Sequence, residues 1–464
     1  MQQVISYVDS NKDRYLSELK EFLAIPSVSS QKNHDADVRR CAQWVADQMK
    51  TVGMQNTQVF ETPGHPIVYS DWRGAPGKPT ILFYGHYDVQ PVDPVNLWTS
   101  PPFEATIRGE NLYARGSADD KGQVFIHLKA IEAYMKNHGS LPINLKMIIE
   151  GEEEVGSENL EDFVKQHKDL LKADLVLISD SSMFAKGVPS VCYGLRGIAY
   201  MEVEVSGPNR DLHSGSFGGS VHNPIQALSE IIASLHDKNG KVTVQGFYRD
   251  VRPLSKAERA AYKKLPWNDK KYAKDLGVAQ LYGEKGFTTL ERLWARPTLE
   301  CNGIWGGYIE EGAKTVLPSK GFAKISMRIV PDQDSQKVAR LFEKHLQKIA
   351  PKTVDVKVRA LHGGEPAITP IESPGVQAAV AALEKGFGKK PLYQREGGSI
   401  PIVVQFKKIL GLDTVLLGFG LPDENAHAPD EHINLDNFFG GIRTSVHFYE
   451  ELPHHWKNGG RKRK

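Results

Sequence analysis

Apolar positions along the chain follow two periods. Tyr15, Leu16, Leu19, Phe22 and Leu23 recur at helical spacing, and so do Val124, Phe125, Leu128, Ile131, Tyr134 and Met135. Short β-rich apolar runs lie between and after them: Thr80 to Tyr84, Ile143 to Ile149, and Leu175 to Ile178. Strand-helix-strand alternation of this kind predicts an α/β domain with a mixed, largely parallel sheet. After Gly194 the texture changes. Met201, Val203 and Val205 alternate with Glu202 and Glu204, a strand wetted on one face. Pro224 opens a helix carrying Ile225, Leu228, Ile231, Ile232 and Leu235, and Phe322 to Val330 reads as a strand. Ser335 precedes a helix with Val338, Leu341, Phe342, Leu346 and Ile349, and Val354, Val356 and Val358 alternate again. This order predicts a small α+β (ferredoxin-like) domain, a sheet with helices on one side. The α/β pattern resumes with Val376, Ala379, Val380 and Leu383, and a strand over Thr414 to Gly420 leads to His427. The expected organisation is a discontinuous domain of residues 1–193 and 363–464 with an insertion over 194–362. Within the insertion, the charged aromatic stretch 245–300 shows no usable period.

At 464 residues the chain exceeds the size at which a single core keeps growing, which agrees with two domains. Lys+Arg 58 against Asp+Glu 56 leaves a net charge of +2, too balanced for a nucleic-acid surface. The basic end from Arg461 to Lys464 reads as a solvated tail. No apolar run is long enough to span a membrane. Met1 to Tyr15 carries Asp9, Lys12, Asp13 and Arg14 where a secretory signal would need an apolar segment. Three cysteines, Cys41, Cys192 and Cys301, form no disulfide framework, so the expected address is cytoplasmic.

The chemically costly side chains collect at or beyond the predicted strand ends, where open α/β sheets bind ligands. His86 and Asp88 follow the Thr80 run, Glu152, Glu153 and Glu154 follow the Ile149 strand, Asp180 follows Ile178, and His427 follows the last strand. Asp119 and Asp120 precede the Val124 helix. Singly, each has an ordinary explanation: a structural histidine, acids at a helix N-terminus, a solvated acidic turn. Adjacent carboxylates repel, however, and a cation would relieve them. Imidazoles and carboxylates together suit zinc or manganese. A carboxylate two residues along an extended segment can reach back to a ring nitrogen, which gives Asp88 the part of orienting His86.

These segments resemble the co-catalytic zinc peptidases that include carnosinases and cytosolic non-specific dipeptidases, with carboxypeptidase G and the aminoacylases as distant relatives. The resemblance is carried by Gly85 to Val89, Ser117 to Gly122, Glu153-Glu154-Val155-Gly156-Ser157 and Ala426 to Glu431. Tyr193 to Gly197, Asp211 to Gly215, Ala313 to Pro318 and Arg395 to Pro401 also match, so nearly the whole chain is covered. It implies two divalent metal ions per subunit (zinc or manganese), His86 and Asp180 holding one, Glu154 and His427 the other, and Asp119 bridging. It implies Glu153 as general base, Asp88 as the partner of His86, and a cis peptide after Asp119. The insertion becomes a lid and dimerisation domain. Its His213 would reach across a homodimer interface to stabilise the oxyanion, and Arg328, Thr315 and Ser399, with the Gly397-Gly398 backbone, would hold the substrate carboxylate. Glu396 would meet a substrate amine. The expected activity is metal-dependent hydrolysis of small peptides, chiefly dipeptides with a free C-terminal carboxylate. Deacylation of N-acyl amino acids by the same site is the alternative.

Overall fold

The computed structural model describes residues 1–398 and 400–459. Two compact units divide the chain: Met1–Tyr193, Thr369–Gln394 and Gln405 onward form the first, Gly194–Ile368 and Arg395–Val404 the second. The expected return at residue 363 falls inside the strand Asp355–Gly364, whose pairing with Gly197–Ser206 keeps it in the second unit. The chain re-enters the first unit at Thr369 instead.

In the first unit the sheet runs in the order Gln55–Phe60, Ile67–Trp72, Asn144–Glu150, Thr80–His86, Leu175–Ile178, Thr414–Leu416 and Ser190–Leu195. Its centre is parallel: Thr80–His86 pairs in parallel with Asn144–Glu150 and Leu175–Ile178, which pairs in parallel with Thr414–Leu416. Antiparallel strands flank it, making the sheet mixed. The strands Asn144–Glu150 and Leu175–Ile178 are buried at every residue, which is why they read as apolar runs without alternation. Register sets His86 directly beside Glu150, so the strands deliver their C-terminal residues to one level. The last strand stops at Leu416, short of the expected Gly420. Gly418 passes so close to Ser181 that a Cβ would lie 2.0 Å from the Ser181 carbonyl oxygen, and only glycine permits the approach.

The helix Lys121–His138 is buried along nearly its whole length, starting immediately after Asp119 and Asp120. Lys121 is fully buried, and its ammonium donates to the carbonyls of Ile25 (2.6 Å) and Phe22 (3.2 Å) at the end of the helix Lys12–Leu23. Phe22 in turn stacks on Trp44 at 4.3 Å.

His127, on the same helix, has its tautomer fixed by its neighbours. Ser179 spends its one hydroxyl hydrogen on the Leu417 carbonyl (2.7 Å), so His127 Nε2–H donates to Ser179 Oγ (2.7 Å) and Nδ1 accepts from Tyr449 (3.1 Å). Burial pushes the imidazole down to about 3. A histidine with a depressed folded value binds its proton first in the unfolded chain, so its contribution is complete above the unfolded value of 6.5 and is lost as pH falls toward 3. His127→Gln should therefore flatten the fall in urea midpoint between about pH 7 and pH 4.5 relative to wild type; equal slopes in the two proteins would remove His127 from the acid transition.

The second unit contains a four-stranded antiparallel sheet in the order Thr298–Gly306, Lys320–Ile329, Gly197–Ser206, Asp355–Gly364. Chain order is strand, helix Pro224–Ser234, two strands, helix Ser335–Ile349, strand, which is the ferredoxin-like arrangement. Ala199, Met201, Val203 and Val205 alternate inward to one core with Leu228, Ile231, Phe342 and Leu346 from the helices. Residues 245–300 form three seven-residue helices, Lys256–Tyr262, Asp269–Asp275 and Thr289–Ala295. Such helices are too short to display a period. Capping boxes at Ser255/Glu258 and Thr288/Glu291 start two of them, and the ion pairs Glu258–Arg395 and Glu291–Arg259 anchor them.

Candidate metal centre

Four loops at the C-terminal ends of the first unit's parallel strands converge. His86 is fully buried at the end of Thr80–His86. Its Nδ1 lies 3.1 Å from the Asp88 carbonyl oxygen and 3.3 Å from Asp88 Oδ1. With Nδ1–H donated there, Nε2 is the ring atom that faces Asp119 Oδ1 at 3.1 Å and Asp180 Oδ2 at 4.0 Å. His427 Nε2 lies 2.8 Å from Asp119 Oδ2 and 3.2 Å from Glu154 Oε2. Asp119 thus offers one oxygen to each histidine. Atoms of His86, Asp119 and Asp180 that could hold an ion fall within 4.8 Å of one another, and so do those of Asp119, Glu154 and His427. The peptide Asp119–Asp120 is cis.

Asp88 does more than orient His86. Its oxygens accept the backbone N–H of Glu153 (3.3 Å) and of Glu154 (3.1 Å), tying the short turn Glu153–Val155 to the His86 strand. Gln90, which the sequence reading passed over, donates Nε2–H to Glu154 Oε2 at 2.7 Å. Its signal was available: His86, Asp88 and Gln90 alternate along one segment. Glu152 turns away, accepting from the His65 N–H (3.1 Å) and the Asn159 amide. His427 sits at φ +62°, a left-handed conformation unusual for a residue with a side chain, in a loop braced by buried Glu424. Glu424 accepts the N–H of Leu421 and of Asn434, both at 2.8 Å.

Charge in this cluster is unbalanced. Burial holds the carboxyl of Glu153 well above the usual range, with Glu154, Asp119 and Asp88 pushing the same way. Asp180 is raised by burial and by Asp119. Burial opposes a charged His86, yet Asp119 and Asp88 outweigh it and raise the imidazole; hydrogen bonds donated to Asp119 and Glu154 raise His427 to about 10. Burial alone would raise Asp119, but its bonds to His427 and His86 hold it low. The carboxylates demand positive charge at both imidazoles, and divalent ions meet the same demand with oxygen and nitrogen donors of suitable type. The donor set fits two ions sharing Asp119.

The remaining predicted residues lie in the second unit. His213 ends the strand Leu212–His213, and its Nδ1 accepts the N–H of Gly215 (3.1 Å) and Ser216 (3.2 Å). In the neutral ring the proton therefore stands on Nε2, leaving a donor outward. Thr315 neighbours it, its carbonyl accepting the Ser214 N–H at 3.0 Å. Arg328 lies on Lys320–Ile329 between Thr298 and Ile198, with burial lowering its guanidinium. Glu396 ends the strand Leu392–Glu396, its carbonyl accepting the Arg196 N–H at 3.3 Å. Ser399 lies outside the described residues.

A mixed α/β sheet presenting two histidines and two carboxylates around a shared aspartate, with a further glutamate beside them, suits a metal-dependent hydrolase. The chain belongs to the peptidase family M20/M25/M40, whose model matches residues 82–451. It is 33% identical to the Cys-Gly metallodipeptidase dug1 of Schizosaccharomyces pombe, over 97% of this chain and 98% of that protein. It is 32% identical to the human Beta-Ala-His dipeptidase, over 97% and 92%. Among solved structures, the dipeptidase Dug1p from Saccharomyces cerevisiae matches with a TM-score of 0.81 at 32% identity, covering 98% of each chain. The metallo-carboxypeptidase Sso-CP2 from Sulfolobus solfataricus matches with a TM-score of 0.83 at 36% identity, covering 95% and 99%. The chain is a metallopeptidase of this family.

Proposed function

We propose that this metallopeptidase cleaves dipeptides bearing a free C-terminal carboxylate, with Glu153 as general base. The observation that carries the reading is Asp119, whose Oδ1 faces His86 and whose Oδ2 faces His427. His86 and Asp180 would hold one divalent ion, Glu154 and His427 the other, and Asp119 both. Bound there, such ions lower the pKa of a shared water and polarise the scissile carbonyl. Glu153, beside the ligands and not among either group, takes the water's proton and returns it to the leaving amine. Its backbone is held by Asp88, so the base and His86 share one support.

In the second unit, His213 carries the donor suited to a developing oxyanion, its tautomer fixed by two backbone N–H groups. We assign that donor to the opposite copy of a homodimer. Arg328, Thr315 and Ser399 hold the substrate carboxylate and Glu396 its amine. Zinc or manganese suits the donor set. Among the described residues no helix is long and apolar enough to cross a membrane. The sparse, odd set of Cys41, Cys192 and Cys301 supports a cytoplasmic setting.

The test is a panel of Xaa-Gly and Xaa-His dipeptides, their N-acetyl forms and longer peptides, assayed after chelation and re-addition of single metals. Free dipeptides should be turned over fastest; faster cleavage of N-acyl amino acids would make this a deacylase, and of longer peptides a carboxypeptidase. Arg328→Met should raise KM for dipeptides about 10–100-fold, the value of a hydrogen bond to a charged group. An unchanged KM would release Arg328 from the carboxylate.

A further inference from the structure

One carboxylate gathers the segments that carry Asp119 and His427. Glu431 stands four residues beyond His427 and is 1% exposed. Its Oε2 accepts Arg115 Nη1 at 2.6 Å and the Gly116 N–H at 3.0 Å. Its Oε1 accepts the Ala118 N–H at 3.0 Å and the Asp119 N–H at 3.1 Å. The Glu431 carbonyl also accepts the Ala114 N–H at 3.0 Å. Arg115, equally buried, passes Nη2–H to the Pro91 carbonyl at 3.0 Å, on the segment that leaves Asp88 and Gln90.

Four donors on two oxygens occupy the carboxylate's acceptor sites, and three of those donors belong to the backbone immediately before and at Asp119. Charge-assisted bonds to backbone N–H groups are short, directional and about twice as strong as neutral ones. A shift of Asp119 by an ångström would break them. Shared by two ion positions, Asp119 is the residue for which such a shift matters most.

We propose that Glu431 is the positioning residue of the metal centre: it clamps Gly116 to Asp119 against the His427 segment and so sets the spacing at which Asp119 serves both histidines. The proposal rests on the reading of Asp119 as the shared ligand. A buried ion pair that only stabilised its loop would affect unfolding and leave ion affinity alone.

The test measures Mn2+ and Zn2+ binding to apo-protein by competition with a chromogenic chelator, alongside the apo thermal midpoint. Glu431→Gln places an amide N–H against backbone donors, and both ions should bind about 10–100-fold more weakly. Glu431→Asp keeps the charge and the Arg115 pair but is one methylene shorter, and should show a smaller loss at both positions; it carries the test if the glutamine variant does not fold. A wild type that takes up two ions, with variants of unchanged affinity, overturns the positioning role even if their thermal midpoints fall. A wild type that takes up fewer than two ions overturns the shared-ligand reading beneath it.

Discussion

Glu153→Gln should lower kcat by about 10²–10⁴-fold, the range for loss of a positioned general base, with the full complement of metal retained. The substitution is nearly isosteric, and the turn that holds the residue depends on its backbone N–H to Asp88, which glutamine keeps. No ligating position is lost, because Glu153 belongs to neither of the two groups that share Asp119. Glu154→Gln should behave in the opposite order, losing an ion first and activity as a result, since Glu154 faces His427 at 3.2 Å. Metal analysis beside steady-state kinetics separates the two. A Glu153→Gln enzyme with kcat within tenfold of wild type would defeat the assignment of the base.

Chelation should abolish turnover and also destabilise the fold, by about 4 kcal/mol for an ion formerly present at 1,000 times its Kd. The loss should depend on pH. Without cations, Glu153 and Asp180 have raised folded values, so they are tolerated below the ordinary carboxylate range and weaken the fold as pH rises above it. His427, raised from 6.5 to about 10, contributes fully below 6.5 and is lost as pH climbs toward 10. Both effects have the same sign: the chelated protein should lose stability from about pH 5 upward, while the metal-loaded protein should not. Urea midpoints at several pH values with and without chelator give the difference, and parallel curves would sink the two-ion reading.

Much of this was legible because fully buried parallel strands write themselves as apolar runs ending in the residues they present. Thr80–His86, Asn144–Glu150 and Leu175–Ile178 were visible for that reason, and so were the acids and histidine beyond them. Gln55–Phe60 was not: as a largely exposed edge it shows no apolar alternation. The terminal helix Leu435–Gly459 was hidden by Gly440, Gly441 and an internal Pro453, residues that ordinarily end helices. In the metal centre the ligating types stood out by chemistry, whereas Gln90, Glu424 and Glu431 act through what they hold. Their side-chain hydrogen bonds link positions up to 316 residues apart, which no local pattern encodes.

Lys121 extends the centre's dependence to residues with no chemistry of their own. Its ammonium has its acceptors at the carbonyls of Phe22 and Ile25. An amino-terminal clip removing those carbonyls would strand a buried cation two positions from Asp119, and a buried donor left without acceptors is costly. The opening helices also bring Tyr15, Leu19 and Phe22 into the core, so trimmed protein should lose thermal stability and turnover together.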